Sequence, residues 1–167
     1  MKRFIHPTAK IYDNVKISET TELTMKKKTF IGDFCFISCK KLVMKNGSQI
    51  NSGSRLIGRG TITLEENVVV SYGCTLLSST DTPRGKFMND ASSLDERYIV
   101  TGDITIGRNS FIGAHCVVMP NVKVGENSVV GALTYLDKNV PSNCIVYSKH
   151  QHMERKRTRS VHSGTEL

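Results

Sequence analysis

The fold is decided by the stretch Ile104-Thr105-Ile106-Gly107-Arg108-Asn109-Ser110-Phe111-Ile112-Gly113-Ala114-His115-Cys116-Val117-Val118-Met119-Pro120-Asn121-Val122-Lys123-Val124-Gly125-Glu126-Asn127-Ser128-Val129-Val130-Gly131-Ala132-Leu133-Thr134-Tyr135-Leu136. Stepping by six from Val100 meets Ile106, Ile112, Val118, Val124, Val130 and Leu136, an unbroken aliphatic column. Four residues after the rungs from Ile106 to Val130 stand Ser110, Cys116, Val122, Ser128 and Thr134, all small or β-branched. Directly after four of the rungs stand Gly107, Gly113, Gly125 and Gly131. Six residues of α-helix rotate through about 600°, so a helical face drifts out of such a column. Short strands joined by sharp turns keep it: the aliphatic side chain points inward, glycine lets backbones approach, and the small residue fits beside the corner.

The ladder continues upstream with phase shifts, as Ile5, Ile11, Ile17 and Leu23, then Ile31, Ile37 and Val43, then Ile50, Leu56, Ile62, Val68 and Cys74. Three short strands per coil make a triangular prism, an all-β parallel β-helix of roughly six coils, each covering the hydrogen-bonding edge of the next. The interval from Cys74 to Val100 is too long for a rung. Its Ser78-Ser79-Thr80-Asp81-Thr82-Pro83-Arg84-Gly85-Lys86 has turn composition and reads as a loop leaving the helix at about residues 76–99. One repeat domain over residues 1–147 and a basic tail over residues 148–167, its first part a short capping helix, complete the expected organisation.

Composition narrows the function classes. The chain has 167 residues with 23 Lys plus Arg against 15 Asp plus Glu, a net charge of +8. A hydrophobic share of 38% is too high for a disordered chain. No apolar run approaches the roughly 18 residues of a membrane-spanning helix, and no secretory leader is expected at the N-terminus. The five cysteines include no Cys-x-x-Cys pair, which points to a reducing, cytoplasmic setting. No three histidines fall within the repeat, so no metal site is expected. Aromatic platforms and a basic helix are lacking in the repeat, which argues against a nucleic-acid partner; the charge reads either as a soluble basic surface or as attraction for anionic ligands such as phosphates.

The passages Ile104 to His115 and Val124 to Ala132, followed by Asp137-Lys138-Asn139-Val140-Pro141, resemble the hexapeptide-repeat acyltransferases, most closely the sugar O- and N-acetyltransferases of lipopolysaccharide or capsule precursors. The resemblance implies a left-handed β-helix, a homotrimer, and acetyl-coenzyme A as acyl donor in the groove between neighbouring prisms. It implies transfer of an acetyl group to a hydroxyl or amine of a sugar or nucleotide-linked sugar, in surface polysaccharide biosynthesis. By motif match, Ala114 and Ala132 are candidates for backbone contacts to the cofactor, and Lys138 and the tail residue Lys156 for its phosphates. Packing alone also explains the two alanines, and surface charge explains Lys138.

Ser78-Ser79-Thr80-Asp81 is similar to the Ser-Ser-x-Asp stretch of the lipopolysaccharide-type enzymes. It makes Ser78, Ser79 and Arg84 candidate acceptor-binding residues and Asp81 a candidate base, better suited to an amine's ammonium than to a hydroxyl. Asp81 equally reads as the cap of a turn before Pro83. His115, near a corner and outward, is the other candidate base. Two features depart from the family. No histidine lies between Leu76 and Val100, where the maltose and galactoside branch carries its catalytic one, and Tyr147-Ser148-Lys149-His150-Gln151-His152 replaces the usual Gly-x-Pro turn. Both departures favour the rival reading, a catalytically inactive trimeric scaffold or binding module.

Overall fold

The computed structural model describes residues 2–148. The architecture is that of the expected left-handed parallel β-helix, with no α-helix among the described residues. A first face stacks Arg3–Ile5, Glu22–Met25, residues 41–44 and 61–64, Ile104–Ile106 and Lys123–Val124, with Val140 bridging to Val124 at the top. The second face is a 7-stranded sheet running from Lys10–Ile11 through Phe30–Ile31, Gln49–Ile50, Val69–Val70, Phe111–Ile112 and Val129–Val130 to Ile145–Val146. The third face carries Lys16–Ile17, residues 36–37 and 55–56, Thr75–Leu77, Val117–Val118 and Tyr135–Leu136. Six complete coils and part of a seventh result, in agreement with the count read from the repeat.

The columns seen in the sequence have distinct physical jobs. Ile106, Ile112, Val118, Val124, Val130 and Leu136 are all buried in the prism's interior. The small column turns the corners: Ser110 Oγ donates to the Gly125 carbonyl at 2.8 Å, Ser128 Oγ to Pro141 at 2.9 Å and Thr134 Oγ1 to Gly131 at 2.7 Å. These hydroxyls are buried and bonded, which is what makes their burial tolerable. Gly107 is required by the stacking itself, because a Cβ there would lie 2.6 Å from the Glu126 nitrogen of the next coil.

The ladder needs four corrections, one at the head of its downstream column and three upstream. Val100 is not a rung but stands opposite Thr80 in an antiparallel hairpin. Ile5, at the open end of the helix, is exposed. Val43 points outward between the buried Leu42 and Met44. Val68 and Cys74 belong to the corner column, the strand rungs being Leu64, Val70 and Leu76. The cause of the last two is one corner. Between the third and first faces the chain runs straight through as the long strands Phe36–Met44 and Arg55–Leu64, with a register shift between Cys39 and Lys41. Extra residues there displace a six-residue string each time it passes.

Candidate functional site

The excursion leaves the prism at that same corner. Ser79–Asp81 and Ile99–Thr101 form an antiparallel hairpin, and the Gly102 amide closes its base by donating to the Ser78 carbonyl at 2.9 Å. A single 3-10 turn, Leu94–Glu96, and a Lys86–Glu96 ion pair at 2.9 Å shape the outer part. Between hairpin and prism lies a cavity of about 290 Å³ lined by Ser38, Gly58, Arg59, Ser79, Asp81 and Arg97, among others.

Asp81 does not cap the turn before Pro83. Its carboxylate takes a bidentate pair from Arg97, Nε to Oδ1 at 2.8 Å and Nη2 to Oδ2 at 2.5 Å. The Arg97 bond holds the Asp81 carboxyl below its ordinary value of 3.8, with smaller Coulombic help from Arg97 and Arg59 against a desolvation that opposes it. Asp81 is therefore an anion at neutral pH. Ser79 is half-buried and its Oγ accepts from the Arg59 amide at 3.1 Å. Ser78 is wholly buried, its hydroxyl engaged with the backbone of Ile57 and Gly60, so it builds the corner rather than facing the cavity. Arg84 stacks over the Tyr98 ring at 5.7 Å on the excursion.

Ala114 and Ala132 lie elsewhere, one above the other at the corner between second and third faces, joined by the Leu133 amide donating to the Ala114 carbonyl at 2.9 Å. His115 is beside them, exposed, with its ring over Gly73, whose Cβ would meet the imidazole at 2.6 Å. Within one chain the third face separates this corner from Asp81. Lys138 is exposed at the third-to-first corner, and Lys156 lies outside the described residues, as does the expected tail helix.

Two corners share one backbone shape and differ in what fills it. Between first and second faces the positive-φ positions are Lys28, Gly47, Asn67, Asn109, Asn127 and Asn143, mostly residues that tolerate the left-handed region. At the Ala114 corner the same positions hold Phe34, Gly53, Gly73, His115 and Leu133. Phe34 is 71% exposed and Leu133 61% exposed, so bulky apolar side chains sit on strained backbone facing outward. Such strain concentrates at sites that contact something else.

Sequence reasoning missed Arg97, which no motif marks, although an arginine shortly before the returning strand was the available signal. It also missed the asparagine ladder. Asn67 donates to Asn109, Asn109 to Asn127 and Asn127 to Asn143, at 3.1, 3.2 and 3.3 Å. The recurring Asn three residues after a rung was there to be read. Cys35 and Cys116 are buried in the corner column, and so is Cys74, which six-residue counting puts among the inward rungs; burial raises all three thiols, Cys74 to about 11.

Residues 103–138 match the family model for the bacterial transferase hexapeptide (six repeats), which bears out the repeat identified in the sequence. A dTDP-4-amino-4,6-dideoxy-D-glucose acyltransferase of Escherichia coli is 26% identical over 136 residues, covering 76% of this chain and 71% of the relative. The structure is similar to AntD, an N-acyltransferase from Bacillus cereus in complex with dTDP and 3-hydroxybutyryl-CoA, with a TM-score of 0.79 and 22% identity over 85% of this chain and 76% of that one. A hexapeptide-repeat-containing acetyltransferase from Vibrio cholerae follows with a TM-score of 0.62 and 17% identity, over 74% and 68%. At these identities the two structures establish the fold.

Proposed function

We propose that this hexapeptide-repeat chain is an acyl-coenzyme-A-dependent N-acyltransferase whose acceptor is an amino sugar carried on a nucleotide. The observation that carries the reading is the ionised Asp81 carboxylate at the cavity under the excursion. A fixed anion attracts an ammonium and can take its proton, whereas a hydroxyl is too weak an acid to yield one to so weak a base. The repeat match and the amino-sugar acyltransferase among its relatives support the same acceptor class. Acetyl-CoA is the donor implied by the resemblance read in the sequence.

In the proposed reaction the ammonium loses a proton to Asp81, and the free amine attacks the thioester carbonyl. The new C–N bond forms, the C–S bond breaks, and the thiolate leaves with a proton from the acidic amine of the tetrahedral intermediate. The backbone N–H groups of Ala114 and Ala132 bond the donor in this reading, those of Gly113 and Gly131 being engaged by the Val130 and Val146 carbonyls of the next coil, and His115 beside them relays a proton. Asp81 and His115 meet only between copies, the excursion of one against the Ala114 corner of the next, as in the implied trimer. The exposed Phe34, Phe111, Val129 and Leu133 on and beside that corner support such a contact.

The test is thiol release from acetyl-CoA in the presence of dTDP-4-amino-4,6-dideoxyglucose. Asp81→Asn is expected to lower kcat by on the order of 10²-fold or more, and His115→Ala by less. Full turnover by Asp81→Asn contradicts the assignment. The absence of histidine between Leu76 and Val100 favours the second reading, a trimeric scaffold without catalysis.

A further inference from the structure

Arg97 is the most deeply buried charge of the described excursion. Its side chain is 6% exposed, yet its two carboxylate partners differ sharply: Asp81 is 20% exposed and Asp90 95%. A guanidinium buried that far needs paired, well-oriented anions to offset its desolvation. It has them in a chain, Asp90 to Arg97 Nη2 at 2.8 Å and Arg97 to both oxygens of Asp81. The fork fixes the plane of the carboxylate as well as its charge, because both oxygens are held at once. Lysine offers one point charge and no such plane.

The backbone around Arg97 is pinned too. Arg97 pairs with Phe87 in an isolated bridge, and the Thr82 amide donates to the neighbouring Tyr98 carbonyl at 3.0 Å. The guanidinium therefore sits on the returning limb of the excursion and holds a side chain of the outgoing limb. Asp90, near the outer end, grips the same Nη2. Arg97 is thus the single group that links the tip of the excursion, both of its limbs and the cavity carboxylate.

We propose that Arg97 is a positioning residue: its fork orients the Asp81 carboxylate toward the cavity, while Asp90 steadies Arg97 from the solvent side. The inference rests on the acyltransfer reading of Asp81. It requires that Arg97 act through Asp81 and not through the stability of the prism, to which the excursion adds no rung.

The experiment follows the Asp81 carboxyl carbon by NMR against pH in the full chain, its signal assigned by loss in Asp81→Asn. Arg97→Ala is expected to move that titration upward, and Arg97→Lys to restore part of the shift. With the amino-sugar nucleotide as acceptor, the acid limb of kcat/KM then moves to higher pH in Arg97→Ala. Its kcat falls on the order of 10²-fold with coenzyme A affinity unchanged. In an Asp81→Asn background, Arg97→Ala is expected to add no further loss. An Asp81 titration that Arg97→Ala leaves in place, or fully additive losses, overturns the inference even if the enzyme turns over as proposed. Full turnover by Asp81→Asn defeats the underlying reading, and the inference with it, whatever the titration shows. Asp90→Asn, which leaves the fork intact, is expected to have a much smaller effect on both readouts.

Discussion

Ser128 shows how a corner is held. Its hydroxyl donates to the Pro141 carbonyl at 2.9 Å and accepts from the Cys144 amide at 3.2 Å, and the side chain is buried. Where cysteine takes the same column the thiol donates instead, Cys116 to Gly131 at 3.0 Å and Cys74 to Gly113 at 3.1 Å. Such thiols are structural, and burial takes away their nucleophilicity by disfavouring the thiolate. Cys39 is pushed up to about 12 and Cys74 to about 11. Cys144, near the open end, is only half-buried. Iodoacetamide on the native chain at mildly alkaline pH is therefore expected to label Cys144 first and the other four only on unfolding. Peptide mass mapping reads the order, and rapid native labelling of Cys116 contradicts it.

The elements of this molecule are corners as much as strands. Each strand is two or three residues long on most coils, too short to be stable alone, and the corner between first and second faces carries its own hydrogen-bonded ladder of asparagines. Asn127 has φ 54 and links the coils above and below. Asn127→Ala is expected to cost about 1–2 kcal/mol for the left-handed backbone alone. Asn127→Gly keeps the backbone at ease, loses the ladder bonds and is expected to cost less. Urea unfolding of the two variants separates the contributions, and equal losses contradict a role for backbone strain. The strands were legible from residue 104 onward because every coil there repeats in six. They were misphased earlier because Phe36–Met44 and Arg55–Leu64 run through a corner without turning sharply, and six-residue counting has no mark for such an insertion. The excursion was legible from its Ser-Thr-Asp-Pro composition. Its internal pairing was not, because Asp81 and Arg97 are sixteen residues apart and joined by tertiary contact alone.

At the scale of the whole molecule, the candidate groups divide between two edges. Asp81, Ser79 and Arg97 belong to the excursion, while His115, Ala114 and Ala132 belong to the opposite side of the third face. The sequence named all but Arg97 of these residues and left open whether they meet in one chain. The structure places them apart, so the proposed chemistry depends on assembly. The net charge of +8 suits two anionic ligands, a nucleotide sugar and a coenzyme bearing phosphates. The most direct measurement is calorimetric titration of the full chain with coenzyme A, the part common to every acyl donor, with the mass in solution taken by light scattering. Saturable binding of one coenzyme A per chain in a trimer is the expected result. A trimer that binds no coenzyme A up to millimolar concentration contradicts the acyltransferase and leaves the scaffold.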